Sequence, residues 1–358
     1  MRRRLGVVSL VLLIVPLVVR AQQQGPVLVS GLTPPLELYL EPLRQQAGIP
    51  GMSAAVVQDG EIIWERGFGF QDLAARIRAT PDTPYLVGDL TGTLAAAMLL
   101  QCVDLRRLEL DVPVRKYGVS LPEPDATLRQ VLSHTSTDQP GQLFRYAPER
   151  FAQLSTVMES CVPRDYRKNL TERILKRFAM KDSVPGTDLQ NPDVVPEDMF
   201  EPEELETYRH VLQRLAVPYK VTGRGHAEVT TLTPTGITAA GGLVSTVRDL
   251  AQFDKALDSD LLLTEGTRAV AWNPIIGADG TALPMGLGWF VQTYHGQRVV
   301  WHFGLVPNAY SSLIIKLPDL HLTFILLANS DGLSAPFQLA EGDLSRSLFA
   351  RLFLRLAT

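Results

Sequence analysis

The sequence predicts a mixed α+β fold, an antiparallel sheet flanked by helices with a mostly helical region inserted into it. Two observations carry this reading: strand-like segments gather at both ends of the chain, and helical periodicity fills the middle. Leu36 to Gln46 is amphipathic and reads as an N-terminal helix packed on the sheet. Met52 to Val57 and Ile62 to Gly67 then flank Asp59-Gly60, a pair suited to the positive φ angles of a two-residue hairpin turn. Helical text runs from Thr91 to about Phe253 and must emerge on one side of the sheet. Beyond it, Trp289 to Tyr294, Arg298 to His302, Tyr310 to Leu317 and Leu322 to Leu327 read as successive antiparallel strands, with His295-Gly296 and Pro318-Asp319 as turns. Leu339 to Leu356 closes the chain as a helix. The expected organisation is one domain over 35–358, with a sheet part at 35–90 and 254–358, a helical part at 91–253, and a linker over 22–34.

The first 21 residues read differently. Arg2 to Arg4 precede an apolar run from Leu5 to Val19, and Val19-Arg20-Ala21 follows as a cleavage site, the pattern of a signal peptide. The run is short for a membrane span, which needs about 20 residues; an uncleaved anchor is the alternative. No cysteine follows it to carry a lipid. Cleavage removes four arginines and no acid, leaving 30 basic against 38 acidic residues, a net charge of −8. That sign argues against nucleic acid as partner. A secreted or periplasmic protein with no stable membrane span after cleavage is expected.

Six short blocks carry the chemistry. Gly88-Asp89-Leu90-Thr91-Gly92-Thr93 leads into the apolar run Leu94 to Leu100; Leu128 to Ser136 contains Leu-Ser-His-Thr-Ser; Tyr146-Ala147-Pro148 precedes a helix. Ala240 to Leu250 carries a glycine pair followed by Ser-Thr, His302-Phe303-Gly304 ends a strand, and Leu327 to Asp331 ends another. In order and spacing these resemble the beta-lactamase-related family, which includes class C beta-lactamases, D-alanyl-D-alanine carboxypeptidases and related esterases. The resemblance covers roughly residues 35 to 352 and implies a beta-lactamase/transpeptidase-like fold with its groove between the sheet and the helical part.

The same resemblance implies a serine nucleophile opening the helix and a lysine one turn later to help deprotonate it. Those two slots hold Asp89 and Gly92, and Pro148 stands where the family has a substrate-contacting asparagine. Asp89 has two readings: a helix cap, contributing about 0.5–2 kcal/mol, or a rewired nucleophile or general base. Gly92 removes the ammonium altogether. Pro148 suits the first turn of a helix, so the scaffold is kept there while a polar contact is lost. Tyr146, His302 and Gly304 remain as groove residues beside Asp89. No Ser-x-x-Lys and no Gly-x-Ser-x-Gly occurs elsewhere in the chain; Ser245-Thr-Val-Arg248 is the nearest analogue.

No Cys-x-x-Cys or His-Glu-x-x-His is present and the six histidines lack ligand spacing, so neither metal nor cofactor is expected. Cys102 and Cys161, the two cysteines, read equally as a disulfide or as two buried thiols. Because nucleophile, base and relay act as a unit, the expected function is a pseudoenzyme that binds a peptide or cell-wall-derived ligand, or a partner protein. The alternative is an active hydrolase of esterase, beta-lactamase or D-amino-acid peptidase type, using Asp89 or an unrecognised nucleophile.

Overall fold

The computed structural model describes residues 31–358 apart from 192, 194–195, 197–198 and 223–224. The signal-peptide reading of 1–21 lies outside the described residues. The first elements are α1 (Thr33–Gln46), β1 (Gly51–Gln58), β2 (Glu61–Asp72), β3 (Ile77–Arg78) and β4 (Tyr85–Leu86). Next come α2 (Thr91–Asp104), α3 (Leu128–Leu132), α4 (Pro148–Ala152), α5 (Leu154–Cys161), α6 (Tyr166–Leu170), β5 (Val184–Pro185) and α7 (Pro202–Gln213). The chain continues through β6 (Tyr219–Val221), β7 (Ala227–Val229), β8 (Leu243–Ser245), α8 (Val247–Asp258) and α9 (Glu265–Ala271). It closes with β9 (Phe290–Tyr294), β10 (Gln297–Val306), β11 (Tyr310–Leu317), β12 (Leu322–Ala328) and α10 (Leu348–Ala357).

Seven strands form one antiparallel sheet in the order β3-β2-β1-β12-β11-β10-β9. The two ends of the chain meet where β1 pairs β12, Met52 opposite Ala328. At the predicted hairpin, Asp59 and Gly60 both take positive φ, 51° and 77°, the backbone that suits the right-handed twist of the flanking strands. Both faces of the sheet are covered. Ala55, Val57, Ile314 and Ile325 face α2, α5 and α8, whereas Ala54, Val56, Leu313 and Phe324 face α1 and α10. Strands β1, β11 and β12 are therefore buried along their whole length, which is why β11 and β12 read as apolar runs rather than as alternating text.

α2 is buried on every side from Thr91 to Cys102, as its uniformly apolar sequence requires. Cys102 and Cys161 are joined in a disulfide, Cα atoms 6.4 Å apart, which ties the end of α2 to the end of α5 and decides between the two readings of those cysteines. Two expectations change. The middle of the chain contains short strands as well as helices: β5 and β8 join β4 in a three-stranded sheet, and β6 pairs β7. The closing helix starts at Leu348, not Leu339, because Gly342 turns left-handed at φ +85° and Ser347 caps a new helix by accepting from the Ala350 N–H. No helix among the described residues is long and apolar enough to cross a membrane.

Candidate functional site

Two glycines seat the entrance of α2 directly on β10. A Cβ at Gly304 would lie 1.8 Å from the Val87 carbonyl, and one at Gly88, whose φ is +59°, would lie 2.7 Å from the Leu305 nitrogen. Gly304 thus serves close approach between the two segments. With the chains in contact, Oδ2 of Asp89 accepts a hydrogen bond from the Leu305 N–H at 3.3 Å.

That contact overturns the capping reading of Asp89. Residues 88–90 form a 3-10 turn, so α2 begins only at Thr91 and its N-cap is Leu90, with no side-chain cap. The hydroxyls of Thr91 and Thr93 donate back to the carbonyls of Gly88 and Leu90 and hold the turn. Asp89 instead points across to β10, where the N–H groups of Leu305 and of Asp89 itself favour its anion. Burial outweighs them and pushes the carboxyl up to about 7.

Around Asp89 the walls are aromatic. Asp89, Gly92, Tyr146, Pro148 and His302, five of the residues singled out in the sequence, line one cavity together with His134, Phe151 and Ala240. Its volume is about 10 Å³, room for one water. The His134 ring stacks between Tyr146, at 4.5 Å, and Phe151, at 5.3 Å. His134 Nδ1 accepts from the Ala147 N–H at 2.9 Å, so its proton sits on Nε2. His302 is the opposite tautomer: Nδ1 donates to the Phe303 carbonyl at 2.7 Å, leaving Nε2 with a free lone pair. Burial lowers both rings, His134 to about 3 with help from His302, and His302 to about 4, so both are neutral at pH 7. Burial and the nearby Asp89 raise the Tyr146 hydroxyl well above its ordinary value.

At Gly92, where the family resemblance would put a lysine, the space is filled from the other side. A Cβ on Gly92 would come within 3.3 Å of the Phe151 ring, so a longer side chain there meets the aromatic directly. Phe151 and His134 were not selected from the sequence, although signals existed: His134 lies inside the Leu128 to Ser136 block, and Phe151 is one helical turn beyond Pro148, which starts α4 as expected. The wall therefore offers two oxygen groups, Asp89 and Tyr146, one imidazole lone pair, and no serine, cysteine or lysine.

A separate cavity of about 400 Å³ opens at the far end of β10, against Val306 and Tyr310, with Thr230 to Thr235 on its outer side. Among the described residues, no charged side chain lines it. Among the described residues, no cluster of three His, Cys, Asp or Glu could hold a metal ion.

Known proteins resemble this chain in sequence and fold. The chain is 20% identical over 335 residues to Protein flp of Staphylococcus aureus, covering 82% of this chain and 62% of that protein. It is 23% identical over 309 residues to a D-aminopeptidase of Brucella ovis, covering 76% and 55%. The chain thus spans less than two thirds of the length of these curated relatives. The solved octameric penicillin-binding protein homologue from Pyrococcus abyssi superposes with a TM-score of 0.70 at 22% identity, over 86% of this chain and 75% of that one, a likeness of fold alone. A sequence profile of the beta-lactamase family matches residues 36–344, spanning the sheet, α2 and the Asp89 cavity alike, and by that match the chain belongs to the beta-lactamase family.

Proposed function

We propose that this member of the family binds a ligand without hydrolysing it. The observation that carries the reading is the contact of Asp89 with the Leu305 N–H. Acyl transfer needs backbone N–H donors free to stabilise a developing oxyanion; here the Leu305 N–H, just after His302-Phe303-Gly304, is taken by a carboxylate of the same chain, which brings negative charge beside it. Gly92 supplies no base, and among the described residues the cavity wall holds no serine, threonine or cysteine for the neutral His302 lone pair to activate.

Binding is supported by the second cavity. At about 400 Å³ it falls within the size range of small-molecule sites, roughly 300–1,000 Å³, while the Asp89 cavity is far below it. Its uncharged wall favours the neutral part of a peptide or cell-wall-derived ligand. A setting outside the cytoplasm is supported by the arginine-led apolar N-terminus and by the Cys102–Cys161 disulfide.

The test is intact-mass analysis after incubation with a penicillin and with an activated ester, alongside hydrolysis rates for wild type and Asp89→Ala. The expected outcome is no adduct and no turnover for either protein. A stoichiometric adduct, or turnover that Asp89→Ala abolishes, would replace this reading with a hydrolase rewired around Asp89.

A further inference from the structure

We propose that the face built by α1 and α10 lies on an anionic lipid surface. α10 is apolar on two sides. Phe349, Phe353 and Leu354 pack inward, with the Phe353 ring stacked on Phe324 at 4.8 Å, and so fix the helix on the sheet. Leu348, Leu352 and Leu356, repeating every fourth residue, form a second stripe that is only half-buried among the described residues. Together with Tyr39 and Leu43 of α1 they line an open groove of about 390 Å³. Tyr39 is 52% exposed and its neighbour Leu38 66%.

Arg351 and Arg355 stand in the wall of this groove. The carboxylates nearby are already committed: Glu341 and Asp343 to Arg346, Glu37 to Arg66, and Glu41 to Arg44. Neither Arg351 nor Arg355 takes part in an ion pair among the described residues. An apolar stripe flanked by unpaired guanidinium groups has the chemistry of a helix that rests in a membrane interface, leucines toward the acyl boundary and arginines toward anionic headgroups. An apolar protein partner would instead desolvate both cations without a counter-charge.

Sequence outside the described residues points the same way. The stretch that leads into Thr33 contains no acidic residue and carries Arg2 to Arg4 followed by the apolar run Leu5 to Val19. In the uncleaved form, attachment of that stretch to a bilayer would deliver the α1 end of the fold to the surface. α1 and α10 cover the face of the sheet opposite α2, so a molecule docked this way keeps its helical part turned to solution. This inference goes beyond the proposed function and stands whether or not Asp89 takes part in any reaction.

The experiment is flotation of the chain from Gln22 onward, which contains every described residue, with vesicles of phosphatidylcholine alone or mixed with phosphatidylglycerol. Binding to the anionic vesicles is expected, weakening with salt, with little or none to the neutral ones. Arg351→Glu with Arg355→Glu should cut binding about tenfold or more, and Leu352→Ser with Leu356→Ser should do the same while near-UV circular dichroism stays native. Absence of vesicle binding, equal binding to both lipids, or indifference to all four substitutions overturns the proposal. So does a concentration-dependent dimer that the leucine substitutions dissolve, since that would give the face to a second copy of the chain.

Discussion

Asp254 and Asp89 are both acids set against the sheet, and their surroundings differ in one respect. Asp254, on α8, shares its carboxylate with the buried ammonium of Lys316 on β11 and with the Thr323 hydroxyl, and Asp258 completes the cluster 3.0 Å from the same ammonium. Asp89 has backbone N–H groups and no cation. Burial raises both carboxyls, but at Asp254 the attraction of Lys316 opposes it, and the lysine is in turn held above its ordinary pKa by the two aspartates. The fold therefore retains a paired ion cluster where α8 meets the sheet and a carboxylate without a cation, among the described residues, where the family resemblance places its nucleophile. A complete cluster acts as architecture; an acid without its base leaves an anion that the fold tolerates at a cost.

The comparison breaks first at Lys316. Lys316→Met strands Asp254 without a cation, and a loss of about 3–5 kcal/mol is expected in denaturant unfolding. Adding Asp254→Leu should recover most of it; a single variant that loses less than about 1 kcal/mol would mean the cluster is not structural.

Next is the pH dependence of Asp89. Its folded-state value, about 7, lies above the ordinary 3.8, so the folded protein holds the proton more tightly than the unfolded chain. The sign follows: stability from this group is fully present below about pH 4, falls as pH rises toward 7, and is flat above. Asp249 and Asp254, raised to about 7 and about 6, slope the same way, so the readout is the difference between Asp89→Asn and wild type. The variant should gain on the order of 4 kcal/mol over wild type between pH 4 and pH 8. Parallel stability curves would remove Asp89 from the argument.

The smallest effect tests the lysine slot. Gly92→Lys should cost about 1–2 kcal/mol through overpacking against Phe151, and in a Phe151→Ala background the same lysine should cost nothing. Equal cost in both backgrounds would show that the ring is not what closes the slot. For the same reason, restoring serine at 89, lysine at 92 and asparagine at 148 should yield no esterase activity unless Phe151 is reduced as well.

Much of the scaffold was legible in the residues. Asp59-Gly60 announced its hairpin because two adjacent left-handed residues leave the backbone little choice, and Tyr310 to Leu317 was bounded correctly because its ends are set by turn residues. The closing helix was read too long because leucine periodicity runs through Gly342, whose left-handed turn interrupts it. At the site, Asp89, Gly92, Tyr146, Pro148 and His302 were selected by motif and do converge. His134 and Phe151 were missed because what they do, stacking and filling the lysine slot, depends on α3 and α4 meeting α2.

The sequence by itself determined the N-terminal hairpin, α2 and the C-terminal strands, since periodicity, turn chemistry and the apolar run of α2 are local properties that each segment carries alone. It also determined what is chemically absent, because no fold supplies a hydroxyl or an ammonium at positions 89 and 92 that the chain does not encode. Only the tertiary structure decided what the remaining groups do. The direction of the Asp89 carboxylate, toward Leu305 instead of along α2, follows from two glycines that bring distant segments into contact, and the closure of the cavity follows from a ring delivered by another helix. Those are long-range contacts, and their distances and burial exist only once the chain has packed.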